Sequence, residues 1–334
     1  MKKNWFLLFF SIFACYLLFD GISYTDDFSA YEADYNNGSD LGNNDYGFFL
    51  LISLCHLLGM DFGQFHNLSI FIGLALIALF LYYLKINVLI GMLFIVILNY
   101  VQMANQLRYF IAFPLFLLSV YCVHILEKRK LGVLLCVMAF LFHNGILGVM
   151  TFYPIYYFIQ IRRLDRKKII TLYVLMGFFT LIVFANLSSY MINMDDKYES
   201  YTTSEMASIS GIGYMLLFSF INIASSYLVQ QNNNIKDNRE NMLLFSLSMF
   251  PLIFFIATFS GMQIIVARYV NVFFIVWVVV LLKFVISKRK ILILSIYLLL
   301  SIASKYGMAL AKFDIYDYNN DLVKIALIWQ SRGK

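Results

Sequence analysis

Residues 67–126 read NLSIFIGLALIALFLYYL (67–84), Lys85, INVLIGMLFIVILNYVQMA (86–104), the polar step Asn105-Gln106, and LRYFIAFPLFLLSVYCVHIL (107–126). Each apolar run is 18 to 20 residues long, the length a helix needs to cross about 30 Å of hydrocarbon. They hold no acidic residue, and Arg108 and His124 are their only basic side chains. Three such runs in succession predict membrane-spanning helices.

The rest of the chain agrees. Of 334 residues, 62% are hydrophobic and 13% charged, against roughly 45–50% and 25% in a soluble domain. That much apolar side chain cannot be hidden in a soluble body of this size. A soluble globular protein, a disordered chain and a nucleic-acid binder working through a basic surface are excluded. Further runs at 5–19, 131–143, 145–161, 169–187, 211–230, 242–259, 269–286 and 291–305 bring the expected spans to about eleven. Residues 46–58 are too short to cross and read as a re-entrant or interfacial helix. Residues 131–161 read as two short helices meeting at His143-Asn144-Gly145, a kinked pair dipping from the cytoplasmic side. The fold class expected is an all-α integral membrane protein, with residues 1–334 forming one polytopic domain.

Charge orients the helices. Basic clusters at Lys2/Lys3, Lys85, Lys128-Arg129-Lys130, Arg162 to Lys168, Lys236/Arg239 and Lys283 to Lys290 fall between apolar runs. The segment 20–46 carries Asp20, Asp26, Asp27, Glu32, Asp34, Asp40 and Asp45 and no base. Loops rich in Lys and Arg stay cytoplasmic. Eleven spans with the N-terminus inside then place loops 20–66 and 188–210 and the tail 306–334 outside. The four cysteines lie in apolar runs without C-x-x-C spacing and read as small core residues. No Walker motif, G-x-G-x-x-G or H-E-x-x-H occurs, which argues against an ATPase, a dehydrogenase and a zinc peptidase.

Ionisable residues within spans are expensive and default to function. Arg108, Arg268 and His143 stand out, each at the external end of its segment in this topology. His124 reads as interfacial, while His56 lies within the short run 46–58 and His66 beyond it. Arg108 could snorkel to headgroups, but its setting, Asn105-Gln106-Leu107-Arg108-Tyr109, is polar enough to line a cavity. Asp26-Asp27 reads either as a metal-binding pair or as a solvated, charged turn. Two arginines facing an external cavity suit a diphosphate, which guanidinium groups hold through paired, permanently charged contacts. A nearby carboxylate or neutral imidazole could take a proton from an attacking hydroxyl. Glycosyl transfer from a polyprenyl-diphosphate sugar is the chemistry this suggests.

At these residues the chain resembles the EpsG family of Wzy-like polysaccharide polymerases. Asp26-Asp27-Phe28-Ser29-Ala30-Tyr31 with Tyr35-Asn36, then Asp45-Tyr46-Gly47-Phe48, is similar to the family's D-W-x-x-Y…Y and E-x-G-[YF] segments. Asn105 to Ala112 resembles its N-x-x-R-Q-x-[IL]-A element, and Leu141 to Gly145 its [FL]-H-x-[ST] element. Phe28 stands where the family has Trp, Tyr109 where it has Gln, and Gly145 where it has Ser. The resemblance implies a GT-C-like membrane glycosyltransferase in the bacterial inner membrane, with its active site toward the periplasm or exterior. It would join undecaprenyl-diphosphate-linked repeat units into O-antigen, capsule or exopolysaccharide, without a metal cofactor.

Carried over by position, Arg108 is the main diphosphate contact and Arg268 a second. His143 is the base or an orienting group, with Asp27 the alternative base. Asp26, Tyr31, Asn105, Gln106, Tyr109, Asn144, Gln263 and Tyr269 line the substrate. The expected partners are a lipid-linked glycan donor and acceptor, membrane lipids and a chain-length regulator. A flippase or exporter of lipid-linked oligosaccharide, a membrane O-acyltransferase and an O-antigen ligase are the alternatives.

Overall fold

The computed structural model describes residues 5–17, 26–37, 45–192, 209–231, 238–260, 263–284 and 288–302, and every regular element among them is helical. The tail 306–334 and most of loop 188–210, both expected outside the membrane, lie beyond the described residues. The helices are α1 (Trp5–Leu17), α2 (Asp26–Asn37), α3 (Tyr46–Leu57), α4 (Phe62–Tyr83), α5 (Val88–Asn105), α6 (Leu107–His124), α7 (Arg129–Phe142) and α8 (Leu147–Met150). They continue with α9 (Phe152–Arg162), α10 (Arg166–Ile192), α11 (Ile209–Gln230), α12 (Arg239–Met249), α13 (Leu252–Ala257), α14 (Gln263–Val272), α15 (Phe274–Phe284) and α16 (Lys288–Ile302).

Among the described residues, four stretches are long and apolar enough to cross a membrane: Phe62–Tyr83, Leu107–His124, Arg166–Asn186 and Arg239–Ser260. The last is not one continuous helix. It breaks at Phe250-Pro251 between α12 and α13, because proline lacks the N–H that the helical ladder needs. The run expected at 269–286 is likewise divided, α14 ending at Val272 and α15 starting at Phe274.

Two compact units can be described separately. The first comprises Met1–Ser119, Lys130–Ile146 and Ser301–Lys334. In it, α4 starts five residues earlier than its apolar run, at Phe62, because Asp61 and Gln64 form a reciprocal cap. Gln64 N–H donates to Asp61 Oδ1 at 2.8 Å, and Asp61 N–H donates to Gln64 Oε1 at 3.1 Å. These two bonds satisfy donors that a helix start otherwise leaves open.

The segment headed by Asp26-Asp27, read from sequence either as a metal-binding pair or as a solvated turn, is helical. Tyr31 and Tyr35, one turn apart, are both buried. Tyr31 packs on Phe48 (5.6 Å between ring centres) and Tyr35 stacks on Phe65 (5.1 Å). Burying such side chains is worth roughly 1.5–3 kcal/mol each, enough to override the weak helix propensity of Asp and Asn. Helix α3 has 12 residues, so at 1.5 Å per residue it covers only about 18 Å, short of a bilayer core.

The kink expected at His143 is present. Helix α7 ends at Phe142, and a 3₁₀ turn, Asn144–Ile146, follows. Gly47, in the first turn of α3, lies against the end of α7. A Cβ there would come within 3.0 Å of the Leu141 carbonyl carbon. This backbone approach brings the start of α3 beside the break in α7.

The second unit comprises Val120–Arg129 and Leu147–Leu300. From Phe274 to Leu281, α15 is buried on every side, as an all-apolar central helix should be. Trp277 Nε1–H donates to the Ser248 carbonyl at 2.8 Å, and Tyr297 OH donates to Asn222 Oδ1 at 2.8 Å. By contrast α10 exposes Leu175, Phe178, Phe179 and Ile182, the face expected to meet lipid.

Candidate functional site

Asp45 occupies the residue immediately before α3, where an aspartate ordinarily accepts a hydrogen bond from the first turn of its own helix. Here its side chain makes no such cap. The helix is started only by its main-chain carbonyl, which accepts from Phe48 N–H at 3.0 Å. The carboxylate is used elsewhere. Oδ2 accepts from Arg108 Nη1–H at 3.1 Å and lies 3.1 Å from His143 Nδ1, while Oδ1 accepts from the Asn144 main-chain N–H at 2.8 Å. The side chain is only 5% exposed. A buried carboxylate is tolerated because three donors surround it.

Each partner is held by a separate element. Arg108 is the second residue of α6, which brings its guanidinium to the start of the helix. The group lies 5.3 Å from the centre of the Tyr31 ring and 5.7 Å from that of Phe48, so aromatic faces add a cation–π attraction to the ion pair. His143 sits where α7 breaks, and the Tyr109 ring meets it edge-on at 5.1 Å. The side chains of Arg108 and His143 remain 21% and 25% exposed. Both can therefore be reached from outside while Asp45 cannot.

Burial alone would raise the Asp45 carboxyl. The hydrogen bond and charge of His143, the Asn144 N–H and the Arg108 guanidinium outweigh it and hold the group below its usual value. Asp45 is thus a carboxylate that accepts from Arg108 and the Asn144 N–H and lies beside His143 Nδ1.

The structure brings together Arg108, His143, Asn144, Tyr31 and Tyr109 of the residues expected from sequence. Gln106 lies just before α6 and is half-buried. Asp26 and Asp27 form the first turn of α2, and Asn105 ends α5, but their side chains lie outside the described residues. Gln263, Arg268 and Tyr269 are on α14 in the second unit. There Tyr269 stacks on Phe254 with ring centres 4.7 Å apart, and Arg268 is half-buried. Among the described residues, no three His, Cys, Asp or Glu side chains gather as metal ligands.

Asp45 was not among the residues expected to act. Its sequence signal was a lone acid heading an apolar helix, two residues before a glycine that admits close packing. A guanidinium and an imidazole sharing one buried carboxylate can bind an anion at the first group and exchange a proton at the second. No curated protein and no solved structure matches the chain. The EpsG family model matches residues 3–320. The chain belongs to the EpsG family.

Proposed function

We propose that this protein is an integral membrane glycosyltransferase that polymerises polyprenyl-diphosphate-linked oligosaccharide repeat units. The observation that carries the reading is the Arg108–Asp45–His143 cluster, three side chains from three segments joined through one carboxylate. Family membership supports it. In this mechanism Arg108 holds the diphosphate and stabilises the negative charge that grows on it as the glycosidic bond to the lipid breaks. His143 accepts a proton from the attacking hydroxyl of the acceptor sugar. Undecaprenyl diphosphate is the carrier proposed, and no metal takes part.

The architecture proposed is GT-C-like with about eleven spans. The site faces the periplasm or exterior, since the basic loops set the cytoplasmic side. Arg108→Ala tests this directly. Loss of an electrostatic contact of this kind costs roughly 10²–10³ in rate. Long-chain glycan should disappear while single lipid-linked repeats still reach the outer leaflet. Repeats trapped on the cytoplasmic side would indicate a flippase, and normal chain lengths would remove Arg108 from the reaction.

A further inference from the structure

The two ring nitrogens of His143 have different surroundings. Nδ1 lies 3.1 Å from Asp45 Oδ2. That same oxygen accepts from Arg108, and Oδ1 accepts from the Asn144 N–H. Arginine and a main-chain amide can only donate, so Asp45 is committed as an acceptor and the neutral ring must place its proton on Nδ1. The lone pair then belongs to Nε2, which makes no hydrogen bond among the described residues. Its neighbour is Gly145. A Cβ at that position would stand 2.7 Å from Nε2, 3.1 Å from Cδ2 and 3.3 Å from Cε1. A contact that short does not occur between real Cβ atoms and ring nitrogens, so any side chain at 145 would move the imidazole or cover the nitrogen. Glycine leaves that edge open.

We propose that Nε2 of His143 is the working nitrogen, that Asp45 is the positioning residue that fixes its tautomer, and that Gly145 keeps the approach to Nε2 open for a sugar hydroxyl. The proposal rests on the glycosyl-transfer reading. As the acceptor oxygen forms its bond to the anomeric carbon, the hydroxyl proton passes to Nε2. The bond from the anomeric carbon to the diphosphate oxygen breaks with its electron pair, leaving a lipid diphosphate. The imidazolium so formed lies against the Asp45 carboxylate, which stabilises it.

The test combines nitrogen-15 NMR of the full-length, histidine-labelled protein in lipid nanodiscs with turnover of a lipid-linked repeat. In the wild type, the neutral ring of His143 should show a protonated Nδ1 and a bare Nε2. Asp45→Asn should lose that single tautomer and most of the turnover, and Asp45→Glu should restore the tautomer and part of the turnover. Gly145→Ala should keep the tautomer and lower kcat at least tenfold. A wild-type spectrum with the proton on Nε2 overturns the assignment, and it requires no variant to fold. Full turnover in Gly145→Ala overturns the role of Gly145. If the wild type converts no lipid-linked repeat while its spectrum is as expected, the polymerase reading and the hydroxyl step fail, whereas the nitrogen assignment stands on the spectrum alone.

Discussion

The Asp45 carboxylate lies 3.1 Å from the imidazole of His143, a residue 98 positions further along the chain. One end of that contact is the head of a helix too short to span the membrane, and the other is the residue just past the end of α7. The contact depends on both. The carboxylate can reach His143 because it does not cap its own first turn, and an unbroken α7 would carry residue 143 past it.

Arg108→Lys separates charge from shape at the first partner. Lysine keeps the positive charge but loses the planar fork and the flat face that lies over Tyr31 and Phe48. The variant should fold, because a cation still opposes Asp45. Its rate with a lipid-linked repeat should fall by roughly 10²-fold, near the lower end of what losing one oriented donor costs. Turnover within twofold of wild type would show that any cation suffices.

Acid should weaken the protein through Asp45. The native carboxyl sits below its unfolded value, so the folded state binds fewer protons than the unfolded chain at moderately acid pH. Its contribution is complete above the unfolded value of about 4 and is lost as pH falls through the lowered native value. Melting temperature in detergent, followed from pH 7 to pH 3, should drop near the acid end. In Asp45→Asn the neutral-pH melting temperature should be lower and the acid drop smaller. Parallel curves for the two proteins would refute the link.

Gly47→Ala tests the close approach between α3 and α7. The added methyl would meet the Leu141 carbonyl carbon at 3.0 Å, and overpacking of this kind costs about 1–3 kcal/mol. Because the same approach sets the Asp45–His143 distance, activity per folded molecule should fall together with the melting temperature. Gly59→Ala provides the comparison. Gly59 has φ +69° with no atom within 4 Å of a built Cβ, so alanine there costs stability through backbone strain of about 1 kcal/mol without touching the cluster. Equal losses of specific activity in the two variants would argue against a local effect at Gly47.

The reciprocal cap at the head of α4 should matter for stability alone. Removing it in Asp61→Ala leaves helix donors unsatisfied and costs about 0.5–2 kcal/mol. The melting temperature should fall, and turnover of folded protein should be retained. A loss of turnover larger than the loss of folded protein would show that α4 bears on the reaction.

Much of the helical layout was readable from apolar run length, because a segment that must satisfy its own backbone in lipid has few other options. Trp5 to Leu17, the step at Asn105-Gln106 and the break at His143 all appear where hydropathy placed them. The errors share a cause. Asp26-Asp27 and its neighbours look like a polar loop, and only the burial of Tyr31 and Tyr35 against Phe48 and Phe65 makes them helical. Phe62 begins α4 because Asp61 and Gln64 cap it, which a hydropathy run does not register. Arg108 and His143 could be singled out because charge within an apolar run is conspicuous. Asp45 escaped because it stands among seven acids in one segment, and its place before an apolar run and a glycine is a faint local mark. Its importance lies in partners 63 and 98 positions away.

Because one carboxylate oxygen serves both Arg108 and His143, these positions cannot drift in pairs. Exchanging the acid and the guanidinium would keep their mutual attraction yet set a cation against the imidazole, so a compensating change elsewhere would have to arrive at the same time. Descendants of this chain should therefore conserve the trio together or lose it together, with few viable intermediates between those two fates.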